Sequence, residues 1–264
     1  MQNLHIYINI EDLISGFNPE SNTISLKMHD FLSDYSAGNE PYGFSLLRQT
    51  IKEYETENNI SLNDSKQSMP FFRDYQCRLI GPEVTPFSLS LFEDESTAMK
   101  QCYGNNKSGV IISIDYSELA QQALMENMFL IKCKYDVDEN KTYLKEQLNR
   151  EYDKVFFDSE NTGFSPDSRF FSLLCNACLN IDKPENTDFK EWRIVTMSEP
   201  ENAIYILGDN NIKAASIFPL PVYAIKKIRL VPDYQNNTAL YSTLIGWMKK
   251  YRLSPETKLE GLLE

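Results

Sequence analysis

The chain has 264 residues, of which 42% are hydrophobic and 12% aromatic, enough to bury one large core without disulfides or a structural metal. The net charge of −12, from 38 acidic and 26 basic residues, argues against a broad nucleic-acid-binding surface, because such affinity comes mainly from clustered Lys and Arg. A small basic groove stays compatible with this balance. No apolar stretch approaches the ~18 residues that a membrane span requires, and the first residues do not resemble a signal peptide. Five cysteines, an odd number, fit reduced thiols, so we expect a cytoplasmic protein that does not bind membranes.

Strand-like and helix-like segments alternate through the first half of the chain. Alternation of apolar and polar residues predicts strands, whereas apolar residues at intervals of three and four predict amphipathic helices. The predicted elements are a strand at 5–10, a helix at 11–16, a strand at 23–28, a helix at 39–58, and strands at 76–80, 87–92 and 110–114. The polar segment 61–74 is the expected mobile loop.

The second half continues this mixture and ends in a run of strands. Its predicted elements are a helix at 117–126, a strand at 129–135, helices at 138–156 and 168–180, strands at 191–197, 203–207 and 222–231, and a helix at 238–251. Asp138 is the expected N-terminal cap of its helix. Pro219 and Pro221 belong at a sheet edge or outside the ladder, because proline cannot donate a ladder hydrogen bond.

These elements predict an α+β fold with a mixed, mostly antiparallel sheet as its core and peripheral helices. Consecutive strands with short connections favour antiparallel pairing. The loop at 61–74 does not mark a domain boundary. We therefore expect a single domain over residues 1–253, followed by a loosely attached tail at 254–264.

Most patterns of catalytic residues are missing from the sequence. Only His5 and His29 are available for histidine chemistry, and neither Ser88 nor Ser90 lies in a nucleophile-elbow motif. The phosphate-binding loop and the dinucleotide-binding fingerprint are also missing. The sequence therefore does not support a hydrolase of the nucleophile-elbow kind, an enzyme with a phosphate-binding loop, or an enzyme with the common dinucleotide-binding fingerprint.

Three local motifs allow a structural and a functional interpretation. The pair Cys175 and Cys178 has the spacing of half a zinc site, but no second pair matches it, and apolar neighbours favour a buried helix. The acidic cluster 93–95 favours a solvated helix entrance over a cation site. Glu191 and Arg193 form either a salt bridge without function or a carboxylate held by Arg at the mouth of a pocket. No metal site is expected.

Six segments follow one another in an order that is known from a bacterial family. They are the strand at 4–7, the Phe-Ser strand at 87–90 with its acidic turn at 93–94, the Tyr-Gly pair at 103–104, the strand at 109–115, the Glu-Trp-Arg segment at 189–193 and the segment at 225–232. In this order the chain resembles the bacterial domain-of-unknown-function 2971 family over nearly its whole length. It departs from the pattern at Ser33, Met99 and Phe189, where the family usually has Asn, Trp and an acid.

The layout of that family is similar to that of ADP-ribosyltransferases, and the similarity implies an NAD-using enzyme. Glu191 would be the catalytic carboxylate, because a preorganised anion stabilises the positive charge that develops on a ribose carbon. The resemblance implies His5 as the group that holds the ribose next to nicotinamide. The residues implied to bind the cofactor are His5, Tyr7, Ser88, Ser90 and Arg193.

The same segments support two hypotheses about function. The first is an NAD-using ADP-ribosyltransferase-like toxin or defence effector, for example in phage defence. The second is a non-catalytic nucleotide-binding or protein-interaction module of a bacterial defence system, favoured by Phe189 in place of an acid, by the acidic surface and by the loosely attached tail at 254–264. A nucleotide or a protein is the expected partner in either case, and the oligomeric state stays open. A metal enzyme is the weakest alternative, since no ligand set is visible.

Overall fold

The computed structural model describes residues 2–30, 41–60, 85–98, 109–156, 177, 179–198, 202–207, 212–230, 238–251 and 258–260. The strands are β1 (Asn3–Asn9), β2 (Phe17–Asn18), β3 (Thr23–Asp30), β4 (Thr85–Phe92), β5 (Gly109–Asp115), β6 (Phe129–Lys132), β7 (Glu191–Ser198), β8 (Ile204–Leu207), β9 (Ile212–Pro221), β10 (Ile225–Leu230) and β11 (Lys258–Glu260). The helices are α1 (Ile10–Ser15), α2 (Tyr42–Glu57), α3 (Tyr116–Met125), α4 (Val137–Phe156) and α5 (Thr238–Lys250), with 3₁₀ turns at Pro184–Phe189 and Val222–Ala224. This combination confirms the predicted α+β class.

One sheet of 11 strands joins all the strands of the described ranges. Its order is β11-β10-β5-β1-β4-β3-β9-β8, with β2 beside β3 and with β7 between β4 and β6. Among these pairs β10 and β11 run parallel and the others antiparallel, as the short connections predict.

Strand β4 is the point at which the sheet divides. Along its whole length it pairs with β7 on one side. On its other side it pairs with β3 at Phe87 and Ser88 and with β1 at Phe92. The strands that carry the candidate residues therefore all meet at β4.

The two faces of the sheet have different compositions because side chains alternate along each strand. One face is apolar and buries the main core, to which β1 contributes Leu4, Ile6 and Ile8. Helices α1, α3 and α5 cover this face with Leu13, Leu119 and Leu244. Each such side chain, fully buried, contributes about 1.5–3 kcal/mol relative to an exposed one. The opposite face, which we call the polar face, carries the candidate residues.

A second, smaller core lies between α2 and α4. Its members are Phe44, Leu46, Leu47, Ile51, Leu144, Leu148, Tyr152, Ala177 and Ile181. Gly43 is needed for the close approach of α2, because a Cβ atom there would lie 1.9 Å from the carbonyl oxygen of Ala177. A parallel bridge between Lys134 and Ile181 joins this helical layer to the end of β6.

Several local predictions need correction. The cap expected at Asp138 is wrong, because α4 already begins at Val137 and the side chain of Asp136 accepts a hydrogen bond from the backbone nitrogen of Glu139 at 2.8 Å. Strand β6 ends at Lys132, because Lys134 pairs with Ile181 instead. The strand expected over 222–231 begins with a 3₁₀ turn at Val222–Ala224.

Other predictions agree with the structure or lie outside it. Pro219 and Pro221 pair only with β3 among the described strands, since β8 pairs with Ile212 to Ala215 of β9. In the tail that was expected to be loosely attached, Lys258–Glu260 instead forms β11, which pairs with β10. The predicted loop at 61–74, strand at 76–80, Tyr-Gly pair at 103–104 and cysteine pair at 175 and 178 lie outside the described residues. In the part of the chain that is described, no helix is both long enough and apolar enough to cross a membrane.

Candidate functional site

Strand register places all six candidate residues on the polar face. His5 lies opposite Phe92 across β1 and β4, and Phe92 lies opposite Glu191 across β4 and β7. The other candidates are an even number of positions from these residues, which puts their side chains on the same face. They are Tyr7, Ser88, Ser90 and Arg193.

Ser90, Glu191 and Arg193 form one hydrogen-bonded cluster. The Ser90 hydroxyl donates to Glu191 Oε1 at 2.6 Å. Arg193 donates from Nε to the same oxygen at 2.9 Å and from Nη2 to Oε2 at 3.2 Å. Glu191 is 7% exposed and Arg193 6% exposed, so this ion pair is buried. The charged pair seen in the sequence is therefore a bidentate salt bridge with a serine as its third member.

Arg193 also binds the chain that leads out of the helical layer. Its Nη1 donates to the carbonyl oxygen of Leu179 at 3.0 Å, and its Nη2 lies 3.6 Å from Asp182 Oδ2. Burial acts to lower the pKa of Arg193, but the hydrogen bonds and charge of Glu191 outweigh it and raise this pKa above its ordinary value. Arg193 therefore stays charged and joins β7 to the segment around Leu179.

Two further residues border this cluster without a motif that marks them in the sequence. The Tyr135 hydroxyl accepts a hydrogen bond from the backbone nitrogen of Glu191 at 2.8 Å. The backbone nitrogen of Cys133 donates to the Glu191 carbonyl oxygen at 2.9 Å. Burial raises the pKa of the Cys133 thiol to about 12 and also raises the pKa of Tyr135. Both side chains are therefore neutral at neutral pH.

His5 belongs to a different part of the polar face. Its Nδ1 lies 2.9 Å from the hydroxyl oxygen of Ser113 on β5. Burial lowers the pKa of His5 from its ordinary value, and the nearby charges of Glu95, Lys227 and Asp94 act on it in opposite directions. His5 and Glu191 lie two strands apart, roughly 10 Å across the sheet. The structure thus places both on one face without bringing them into contact.

The contacts described for Tyr7, and the register position of Ser88, lie outside the Glu191 cluster. The Tyr7 hydroxyl donates to Asn9 Oδ1 at 3.1 Å. Its ring lies against Gly109, where a Cβ atom would be 2.3 Å from Tyr7 Cε2. Ser88 lies opposite His29 and Val195 in the register, one pleat from Ser90. Of the two candidate serines, Ser90 is therefore the one that binds the carboxylate.

The acidic cluster 93–95 is separated into three different ion pairs. Glu93 Oε1 lies 2.6 Å from Lys132 Nζ, and Asp94 Oδ2 lies 3.1 Å from Lys190 Nζ. Asp94 also accepts, through its carbonyl oxygen, the first hydrogen bonds of a helical turn. This arrangement agrees with a helix entrance. Within the described ranges, no group of three or more His, Cys, Asp and Glu side chains is placed to hold a metal ion.

Glu95, the third acid, faces a basic pair that was not among the candidates. Its Oε2 lies 3.2 Å from Lys227 Nζ and 3.5 Å from Arg229 Nη1, both on β10. Lys227 lies opposite Ser113 in the register, and Ser113 lies opposite His5. The available sequence signal is the spacing of Lys227 and Arg229, two positions apart on a predicted strand, which puts both on one face.

The polar face can thus offer two kinds of chemistry. The Glu191 cluster presents a fixed carboxylate and a hydroxyl, and the β5–β10 region presents cationic and hydroxyl donors. Comparison of the chain with known protein families, curated proteins and solved structures found no match. A proposal about function therefore depends on the geometry of the site itself.

Proposed function

We propose that the protein is an NAD-using ADP-ribosyltransferase-like enzyme, a toxin or defence effector, with Glu191 as its catalytic carboxylate. The observation that carries this proposal is the 2.6 Å hydrogen bond from the Ser90 hydroxyl to Glu191 Oε1. It unites a serine of a central strand with the glutamate of a later strand. His5 of the first strand lies on the same face, which agrees with the order implied by the family resemblance.

The chemistry requires a carboxylate held in one orientation. In the transfer, the bond between the ribose carbon and the nicotinamide nitrogen breaks, and a nucleophile of the acceptor forms the new bond to that carbon while losing its proton. Glu191 would stabilise the positive charge that develops on the ribose as the bond to nicotinamide breaks and before the bond to the acceptor is complete. Ser90 orients Oε1, whereas among the described residues Oε2 accepts the longer hydrogen bond, 3.2 Å from Arg193 Nη2. Oε2 is therefore the oxygen that would turn toward a bound ribose.

A second candidate is a non-catalytic nucleotide-binding or protein-interaction module. The observation that favours it is the bidentate salt bridge, which occupies both oxygens of a carboxylate that is 7% exposed. The positive charge of Arg193 also offsets part of the negative charge that the transition state would need. In this case the cluster serves to join β7 to the helical layer.

Labelled NAD, incubated with the protein and a bacterial lysate, separates the two candidates. We expect label transfer or NAD consumption by the wild type and a loss of about 100-fold or more in Glu191→Gln, the magnitude typical for removal of one key electrostatic group. Glu185→Gln is the matched control, because Glu185 is exposed on the turn before β7. Thermal unfolding of each variant distinguishes lost chemistry from lost folding.

The outcomes assign the function as follows. Turnover that persists in Glu191→Gln removes Glu191 as the catalytic residue. Binding of NAD without turnover in the wild type supports the nucleotide-binding module. If the wild type neither binds nor consumes NAD, the transferase proposal is wrong.

A further inference from the structure

Arg193 lies between two carboxylates, and one of its nitrogens is close to both. Its Nη2 donates to Glu191 Oε2 at 3.2 Å and lies 3.6 Å from Asp182 Oδ2. The first distance is that of a hydrogen bond, whereas the second is that of an ion pair and is too long for a hydrogen bond. A movement of the guanidinium toward Asp182 by less than about 1 Å would therefore exchange one carboxylate for the other.

The other hydrogen bonds of this pair are compatible with such a movement. Arg193 Nη1 donates to the carbonyl oxygen of Leu179 at 3.0 Å, three residues before Asp182 in the chain. The Ser90 hydroxyl donates to Glu191 Oε1 at 2.6 Å, so this oxygen keeps a donor when the guanidinium moves away. The Leu179 carbonyl oxygen therefore holds the guanidinium, and Ser90 holds the carboxylate, when the two groups separate.

Asp182 is held in place by hydrogen bonds of its own. Its Oδ1 accepts from the backbone nitrogen of Lys183 at 2.7 Å, and its Oδ2 accepts from Asn186 Nδ2 at 3.1 Å. Its backbone nitrogen donates to the carbonyl oxygen of Lys134 at 3.0 Å. The side chain is 16% exposed, so water screens its attraction to Arg193 less than it would at the surface. Asp182 is therefore a fixed second counter-ion for the guanidinium.

We infer that Asp182 is a positioning residue of the proposed transfer reaction, and that it takes over the Arg193 guanidinium when the Glu191 carboxylate is needed at the ribose. This inference rests on the proposed function, because it explains how a carboxylate with both oxygens bound becomes available. A buried guanidinium that lost one counter-ion without gaining another would be strongly unfavourable, so Asp182 lowers the free energy needed to release Oε2. No covalent bond is made or broken in this exchange.

The kinetics of NAD consumption test this role in Asp182→Asn. The change removes the charge but nearly keeps the shape, so we expect kcat to fall about 10- to 100-fold, the contribution of one hydrogen bond to a charged group. The KM for NAD should stay within about threefold, because the exchange is needed in the transition state and not for binding. Asp182→Glu keeps the charge and should retain more of the wild-type kcat. Asp188→Asn is the matched control, since Asp188 is exposed on the turn before β7.

A double-mutant cycle shows whether Asp182 acts through the Glu191 pair. In Glu191→Gln the carboxylate that must be released is missing, so adding Asp182→Asn should lower the remaining turnover by less than about threefold. A loss as large as in the wild-type background would mean that Asp182 acts elsewhere. Urea unfolding measures the stability of each variant, and a merely structural role would lower stability without this coupling in turnover.

The inference is overturned if Asp182→Asn has the same kcat as Asp188→Asn, or if Asp182→Glu loses as much activity as Asp182→Asn. Both results leave the transferase standing, because the wild type still consumes NAD. If the wild type neither binds nor consumes NAD, the proposed function itself is wrong, and the role of Asp182 is lost with it. The two failures are therefore distinguishable in one set of measurements.

Discussion

Replacement of Arg193 by Met should destabilise the protein strongly. The change removes two hydrogen bonds to Glu191, one to the Leu179 carbonyl oxygen, and the ion pair with Asp182. Asp182 keeps other partners, since its side chain also accepts from the backbone nitrogen of Lys183 and from Asn186. The main cost is therefore the carboxylate of Glu191, which is 7% exposed and would lose its cation.

Loss of one partner from a buried ion pair costs about 3–5 kcal/mol. For a chain of this size, that loss lowers the midpoint of thermal unfolding by roughly 6–20 °C. The double variant Arg193→Met/Glu191→Gln removes both charges, so we expect it to be more stable than Arg193→Met by at least ~1 kcal/mol. The recovery would show that the unpaired charge, and not lost packing alone, causes the destabilisation.

Urea unfolding followed by circular dichroism measures these differences. Arg150→Met is the control, because Arg150 is exposed on α4 and its loss should change stability by less than about 0.5 kcal/mol. If Arg193→Met costs no more than this control, the pair is not a buried structural link. If the double variant is less stable than the single variant, the explanation by unpaired charge is wrong.

Three further measurements test other parts of the structure. Gly109→Ala should lower the free energy of unfolding by about 1–3 kcal/mol, because its Cβ would lie 2.3 Å from the Tyr7 ring. Gly246→Ala, whose Cβ would have nothing within 4 Å, should instead stabilise α5 by about 0.5–1 kcal/mol. Equal effects of the two variants in urea unfolding would contradict this reasoning. Burial lowers the pKa of His5 below 6.5, so the unfolded state binds the proton more readily. Stability should therefore fall as the pH decreases through 6.5, and a His5→Gln variant that keeps this slope would refute the assignment. Burial raises the pKa of the Cys133 thiol to about 12, so iodoacetamide should modify Cys133 only after unfolding. Peptide mapping locates the label, and rapid modification of Cys133 in the folded protein would disprove its burial.

Secondary structure and the composition of the two sheet faces follow from local sequence patterns. The alternation in β1 that buries Leu4, Ile6 and Ile8 also turns His5 and Tyr7 to the other face. The two-residue period of a strand shows that His5 and Tyr7 share a face, and the assembled fold shows which face the helices cover. The neighbouring pair Glu191 and Arg193 is predictable for the same reason, because positions two apart share a face.

The choice between Ser88 and Ser90 depends on the register of distant strands. Both serines have the same local pattern on β4. Only the pairing with β7, in which Ser90 lies opposite Arg193, decides which hydroxyl reaches Glu191, 101 residues away in the chain. A shift of two residues in the register of β4 against β7 would leave the same faces buried but would place Ser88 instead of Ser90 opposite Arg193.

The sequence by itself therefore determined the α+β class and most of the helices and strands, because these depend on short-range periodicity, whereas it left open which face of the sheet His5 and Tyr7 occupy. Tertiary structure alone decided that Ser90 joins Glu191, that Arg193 binds the Leu179 carbonyl oxygen, and that Glu95 faces Lys227 from 132 residues away. Such contacts arise only when the whole sheet is assembled, since their energy depends on the combined register and packing of many strands.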